Sequence, residues 1–322
     1  MTDTPLVSVV VPNWNGERLL PLCLASLRQQ TYRPLEVIVV DNGSTDGSLA
    51  LLAQRYPEVR VVALSENRGY AGGVNAGFRA AQGRLLVAFN NDAEAEPDWI
   101  AELVAALDRH PEAGMATSRV RLFDRRDHLH TAGDFYRLDG IPGNRGVWRP
   151  DGPAFDEECW VFGAAGVAPA YRRQMLDQIG LLDETFGSYL EDVDLSWRAQ
   201  LAGYGCIYAP RAVVYHMVSA TGGGPMASFF VGRNTLWVIV KNYPGSLLRR
   251  FWPAVLRAQF RIAWQALRAW RGAAARARLR GQMAALLGLP RLLRERKLVQ
   301  PGRCVSDEYL LGILTPLDEI SG

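Results

Sequence analysis

Four short, almost wholly apolar runs recur through the first ninety residues, at 7–11, 35–40, 59–64 and 84–89. Val, Ile and Leu dominate them; the first two read as buried strands and the other two as a third and a fourth strand. Helical patterns stand between and after them: Leu19, Leu20, Leu22, Leu24 and Leu27 around Cys23, then 48–56, 73–81 and 99–110. Strand alternating with helix predicts an α/β fold, a mostly parallel sheet with helices on both faces. A sheet of this kind binds ligands beyond the carboxyl ends of its strands.

Polar residues cluster at those ends. The first strand runs into Pro12-Asn13-Trp14-Asn15, the second into Asp41-Asn42-Gly43-Ser44-Thr45-Asp46, and the fourth into Asn90-Asn91-Asp92. Any one cluster could merely cap a helix or make a turn, as Asp46 is expected to do. Three at the same sheet edge predict a binding site. A dinucleotide site is disfavoured, because it needs a Gly-rich turn directly after the first strand. The Gly-rich stretch 69–77 instead follows the third strand and lacks GxGxxG spacing.

Further along, 117–158 breaks into Gly-, Asp- and Arg-rich pieces that read as short antiparallel strands and loops. His128 and His130 fall there and read as loop residues. Helical patterns return at 172–179 and 191–202. Beyond Tyr243-Pro244-Gly245 the composition turns to Arg, Ala, Leu and Trp, which divides the chain into 1–243 and a helical region, 244–322. From 249 to 297 there are twelve Arg and one Lys against Glu295 alone, a charge of +12. With a net charge of +3, the rest of the chain carries −9.

The segment 249–271 reads as an amphipathic helix. Arg250, Arg257, Arg261 and Arg268 fall within roughly 40° of one another, and Trp252, Leu256, Phe260, Ala263, Leu267 and Trp270 within about 80°. Two readings stay open: docking on an anionic membrane through 249–297, or packing on the catalytic domain with a solvated basic face. Nothing beyond charge suggests nucleic acid. No apolar stretch approaches the ~18 residues of a membrane span. The longest, 236–240, sits between Arg233 and Lys241. The first apolar run has no basic segment before it and reads as a strand, not a signal peptide. Four scattered cysteines without a CxxC pair fit reduced thiols. The expected location is cytoplasmic, peripheral on the inner face of the plasma membrane.

The ordered set PNWN, DNGSTDGS, NRGYAGGVNAG, NND, the FGSYLEDVDLSWR stretch beginning at Phe186, Gly203 and Val214-Tyr215-His216 resembles the inverting, GT-A-fold glycosyltransferases of family 2. The resemblance spans roughly residues 6–240. It implies that Asp41 accepts a hydrogen bond from a uracil or thymine base over a floor shaped by Pro12 and Asn15. Asn67, Arg68, Asn75, Asn90 and Asn91 would complete the nucleotide and donor side. Asp92 and His216 would hold Mg²⁺ or Mn²⁺ at the donor diphosphate. The family pattern often has a second Asp where this chain has Asn90, which leaves the cation with less negative charge.

Inversion at the anomeric carbon needs a carboxylate to deprotonate the acceptor hydroxyl. Asp192 is the expected base, with Glu191, Asp194, Ala164 and Gly166 around the sugar and acceptor. Glu191 and Asp194 could equally just decorate a helix N-terminus, and Asp194 could hold a neighbouring Arg. Arg172 and Arg173 are open between phosphate binding and helix cover. A processive synthase is disfavoured, because no QxxRW motif occurs. The rhamnosyltransferase-like subgroup is the nearest in pattern, which implies dTDP-L-rhamnose as donor and a polysaccharide or polyprenyl-linked acceptor. A non-catalytic nucleotide-sugar-binding or scaffold protein is the alternative.

Overall fold

A computed structural model describes residues 4–218 and 223–317. Its strands are β1 (Val7–Asn13), β2 (Leu35–Asn42), β3 (Arg60–Leu64), β4 (Leu85–Ala88), β5 (Ala93–Ala95), β6 (Ala113–Leu122), β7 (Leu129–Thr131), β8 (Asp134–Tyr136), β9 (Pro142–Asn144), β10 (Cys159–Val161), β11 (Ala170–Arg172) and β12 (Gly205–His216). The helices are α1 (Leu20–Arg28), α2 (Ser48–Arg55), α3 (Gly69–Ala80), α4 (Trp99–Arg109), α5 (Arg173–Ile179), α6 (Glu191–Leu201), α7 (Gly224–Asn242), α8 (Gly245–Arg268), α9 (Ala273–Leu287), α10 (Leu289–Val299) and α11 (Asp307–Ile313).

The main sheet runs β10-β12-β6-β11-β4-β1-β2-β3, with β5 on β12 and β7 on β6. Strands β3, β2, β1 and β4 are parallel neighbours, and β6 and β12 form a second parallel pair. The short β11 joins these two blocks by antiparallel pairing on both sides. Side chains alternate across the sheet with period two. Val7, Val9 and Val11 meet α1, α2 and α4 on one face, while Val10 meets α3, α5 and α6 on the other. Both faces are covered at β1, β2 and β4, which is why those strands read as nearly unbroken apolar runs. At the sheet edge β3 is largely exposed, Val61 by 39%.

Residues 113–122 form a ten-residue buried strand, which from 117 onward departs from the irregular reading of that region. Its polar residues mask the strand in sequence yet are all satisfied. Ser118 accepts the Trp99 indole N–H at 2.8 Å and donates to the Ala168 carbonyl. Arg119 bridges Asp151 and Asp156, and Arg121 pairs with Asp151. Arg172 and Arg173 are structural: each donates to two backbone carbonyls, of Ala113 and Leu107, and of Gly83 and Ala81.

The division expected after residue 243 falls between α7 and α8, yet a third apolar cluster crosses it. Tyr136, Phe162, Phe186 and Trp197 pack with Trp237, Leu247, Val255, Leu292 and Leu310. Helices α7 and α9 lie unusually close. A Cβ on Gly281 would stand 2.1 Å from the Phe229 carbonyl oxygen, and one on Gly232 would stand 2.6 Å from that of Arg278. Helix α8 packs through Leu247, Ala254, Val255, Ala258 and Ala266. Its Trp252, Leu256, Phe260 and Leu267 face away from the body, Phe260 with 74% of its surface exposed.

Candidate active site

A cavity of about 890 Å³ opens at the carboxyl ends of β1, β2 and β4. Pro12, Asn13, Trp14, Asn42 and the Asn90-Asn91-Asp92 turn line it from the sheet. Asn67 to Tyr70 close one side, and Gly187 to Val193 another. His216, at the end of β12, reaches the same floor because β12 and β6 run parallel across the sheet.

On the floor, His216 Nε2 stands 3.1 Å from Asp92 Oδ1 and 3.5 Å from Asn90 Nδ2. The other ring nitrogen, Nδ1, lies 3.1 Å from His130 Nδ1, and the two rings stack with centroids 4.9 Å apart. The loop reading of His130 is therefore corrected. β7 pairs with β6 and delivers its side chain into the cavity. His128 stays outside the cavity, bridging through its backbone to Pro150. Burial, together with the His216 ring, pushes His130 down to about 3, so it is neutral at pH 7.

Further acids line the same cavity. Asp192 Oδ2 accepts the Gly166 N–H at 2.9 Å, and Oδ1 accepts that of Val193 at 2.8 Å. Gly166 permits this approach, since a Cβ there would meet Asp192 Oδ2 at 2.9 Å. Burial raises the Asp192 pKa, and the two backbone N–H groups oppose the rise. Glu191 is pushed well above the usual range, first by burial and then by the charge of Asp192. Its Oε2 is buried without a hydrogen-bond partner, as is Asn90 Oδ1. Asp134, from β8, also lines the cavity; Asn144 donates to it at 2.7 Å. Burial and the Asp192 charge raise it too.

Several of the expected site residues do not line the cavity. Asp194 is fully buried away from the cavity, held by Arg198 at 2.9 Å, Lys241 at 3.0 Å and Asn242 at 2.7 Å. Asn75 clamps α3 to residue 182 through both its amide atoms, at 2.8 and 3.1 Å, and does not line the cavity. Asn15 turns its carbonyl to the Thr45 N–H at 2.8 Å. Asp41 lies behind Asn13, whose amide donates to it at 3.3 Å, and Ala164 is buried behind the wall. Pro12, Asn67, Arg68, Asn90, Asn91, Asp92, Gly166, Glu191, Asp192 and His216 all line the cavity. Asn13, Trp14 and Tyr70 were findable as neighbours within the same motifs. His130, Asp134 and Asn144 carry no periodic signal.

The family model described as "Glycosyl transferase family 2" matches residues 8–180. The chain belongs to glycosyltransferase family 2. An N-acetylglucosaminyl-diphospho-decaprenol L-rhamnosyltransferase of Mycobacterium tuberculosis is 30% identical over 288 residues, 80% of this chain and 89% of the relative. The O-antigen biosynthesis protein RfbC of Myxococcus xanthus is 31% identical over 68% of this chain and 18% of its own length. Among solved structures, GalNAc-T7 with UDP, GalNAc and Mn²⁺ aligns with a TM-score of 0.61 at 17% identity, over 75% of this chain and 48% of that one. The mannosyltransferase PcManGT of Pyrobaculum calidifontis, with GDP-Man and Mn²⁺, gives 0.57 at 22% identity, over 97% and 84%. S. aureus TarS 1–349 with UDP gives 0.54 at 20% identity, over 95% and 91%. The fold is GT-A, and the chain is a nucleotide-sugar glycosyltransferase.

A divalent cation fits the floor of the cavity. Asp92 and His216 offer one carboxylate and one imidazole side by side, and the neutral Asn90 carbonyl beside them lacks a partner. Among the described residues no group of three His, Cys, Asp or Glu forms a complete cage. Such a pair suits a cation whose remaining positions go to water and phosphate oxygens.

Proposed function

We propose that this glycosyltransferase acts with inversion, taking a sugar from dTDP-L-rhamnose to a hydroxyl of a polyprenyl-diphosphate-linked saccharide. The observation that carries the inverting mechanism is the Asp192 carboxylate, oriented by the Gly166 and Val193 N–H groups in the cavity that Asp92 and His216 also line. Asp192 takes the acceptor O–H proton as that oxygen attacks the anomeric carbon and the bond to the nucleoside diphosphate breaks. Glu191, whose pKa burial and the Asp192 charge both raise, lines the same cavity beside the base. Asn13, Asn91 and Asn67 supply neutral donors and acceptors around the nucleotide. Bound at Asp92 and His216, Mg²⁺ or Mn²⁺ would neutralise charge on the leaving diphosphate.

The donor and acceptor assignments draw on the mycobacterial relative, whose name specifies L-rhamnosyl transfer to a decaprenyl-diphosphate-linked sugar. Helix α8 supports action at the inner face of the plasma membrane, because its aromatic stripe is outward and its arginines flank it. Among the described residues no helix is long and apolar enough to cross a membrane.

Nucleotide release from UDP-, dTDP- and GDP-sugars with Mg²⁺, Mn²⁺ or EDTA tests the reading. One dTDP-sugar is expected to turn over, with EDTA abolishing release and Asp192→Asn lowering it at least 100-fold, the scale of lost general-base catalysis. The wild-type rate should fall off on the acid side above the ordinary carboxylate range, since burial raises Asp192 and only its ionised form accepts a proton. Full activity in Asp192→Asn would remove it as base. Nucleotide binding without turnover on any acceptor would favour the binding-protein alternative.

A further inference from the structure

A second crevice, of about 400 Å³, lies between α7, the C-terminal half of α8 and the start of α9. Pro142 and Val231 line both this crevice and the active-site cavity, so the two adjoin. Ile141, Ile262 and Ala266 continue its apolar wall. Ser228, Thr235 and Gln265 interrupt that wall with neutral polar groups, and Arg278 interrupts it with a cation. Arg278 is partly buried, its stem lying over Gly232, where a Cβ would come within 2.9 Å of Cδ. No carboxylate among the described residues pairs with Arg278, and burial lowers its pKa with no acid to oppose the shift.

A half-buried guanidinium without a counter-ion costs desolvation energy that an arriving anion returns. The apolar part of the lining, Ile141, Pro142, Val231, Ile262 and Ala266, suits a chain attached to the anion. Both volumes fall in the range of roughly 300–1,000 Å³ usual for ligand sites. The turn joining α8 to α9 carries Trp270, 57% exposed, beside the crevice, next to the helix whose apolar stripe faces outward. We infer that this crevice is the acceptor-lipid subsite: Arg278 holds the acceptor's diphosphate, and the walls of α7, α8 and α9 hold its first isoprene units. The saccharide is thereby directed past Pro142 and Val231 toward Asp192. The inference rests on the lipid-linked acceptor proposed above and adds where the lipid lies.

The test is calorimetric titration of the full chain, saturated with the nucleoside diphosphate found by the release assay and with Mn²⁺. The titrants are farnesyl diphosphate, inorganic pyrophosphate and farnesol. Farnesyl diphosphate is expected to bind at least tenfold more tightly than either fragment. Arg278→Gln and Ala266→Trp should each weaken it at least tenfold, with nucleotide affinity unchanged within twofold as the check on folding. Ala275→Phe, at a half-buried position on the same wall, replaces Ala266→Trp if that variant fails to fold. Equal farnesyl diphosphate affinity in wild type and Arg278→Gln would overturn the inference. If lipid-linked saccharide is still glycosylated by such enzyme, the crevice assignment alone falls. If only lipid-free saccharide is a substrate, the acceptor reading falls with it.

Discussion

His130 is placed to decide which way its neighbour's imidazole carries its proton. Two Nδ1 atoms 3.1 Å apart can share a hydrogen bond only if one ring donates and the other accepts. Burial holds His130 neutral, so it can play either part. When His130 accepts, His216 keeps its proton on Nδ1 and turns an unprotonated Nε2 toward Asp92, the tautomer a cation requires. His130→Phe keeps the ring stack and removes the acceptor. Mn²⁺ affinity, read by EPR with nucleoside diphosphate present, should fall about tenfold, within the range for lost outer-shell partners. An unchanged Kd would show that His216 finds its tautomer unaided. Nothing in the sequence pointed here, since His130 stands in a short strand whose only signal is its pairing to β6.

Helix α6 shows how far element geometry can be read from a motif. The Glu191-Asp192-Val193-Asp194 run reads as one acidic cluster, but a helix turns 100° per residue, so Asp194 points about 200° away from Asp192. Glu191 and Asp192 face the cavity, while Asp194 faces Arg198 and Lys241 and ties α6 to α7. Lys241 also pairs with Asp183 at 2.7 Å, which is held down to about 2 against its burial. Lys241→Met should cost about 3–5 kcal/mol of unfolding free energy at pH 7, the usual penalty for stranding a buried charge. Lowered aspartate pKa values contribute stability above the unfolded value near 3.9 and lose it as pH falls toward about 2. The gap between variant and wild type in urea melts should therefore narrow on acidification. A loss under about 1 kcal/mol at pH 7 would mean that Arg198 and Asn242 suffice for Asp194. The parallel β1–β4 block was legible because its strands are apolar in sequence. β6 was not, because its buried Ser118 and Arg119 and its partly buried Arg121 find partners only in three dimensions. Asn75 and Asp194 show that a polar residue inside a family motif can hold the frame: Asn75 ties α3 to residue 182, and Asp194 takes the second of its two open readings, holding Arg198.

At the scale of the molecule, the catalytic sheet and the basic helices form one body, since a continuous apolar cluster joins Phe162 and Trp197 to Val255, Leu292 and Leu310. Removing residues 245–322 would expose that cluster, so a truncation would confound membrane binding with misfolding. Point changes on the outer face of α8 avoid this. Trp252, Leu256, Phe260 and Leu267 are each more than half exposed and contribute little to the fold. Burying such side chains in a bilayer boundary returns roughly 1.5–3 kcal/mol each at full burial, and the flanking Arg257, Arg261 and Arg268 add attraction to anionic headgroups. Replacing the four apolar residues with Ser should reduce sedimentation with vesicles containing phosphatidylglycerol at least tenfold. Turnover of a short, soluble acceptor should stay within twofold of wild type. Wild-type binding should weaken with salt and be small on purely zwitterionic vesicles, because the −9 body contributes no attraction of its own. Undiminished vesicle binding by the four-fold variant would move the contact off α8. A wild-type dimer that dissociates in the variant would instead identify the stripe as a protein interface, and sedimentation velocity on both proteins separates the two outcomes.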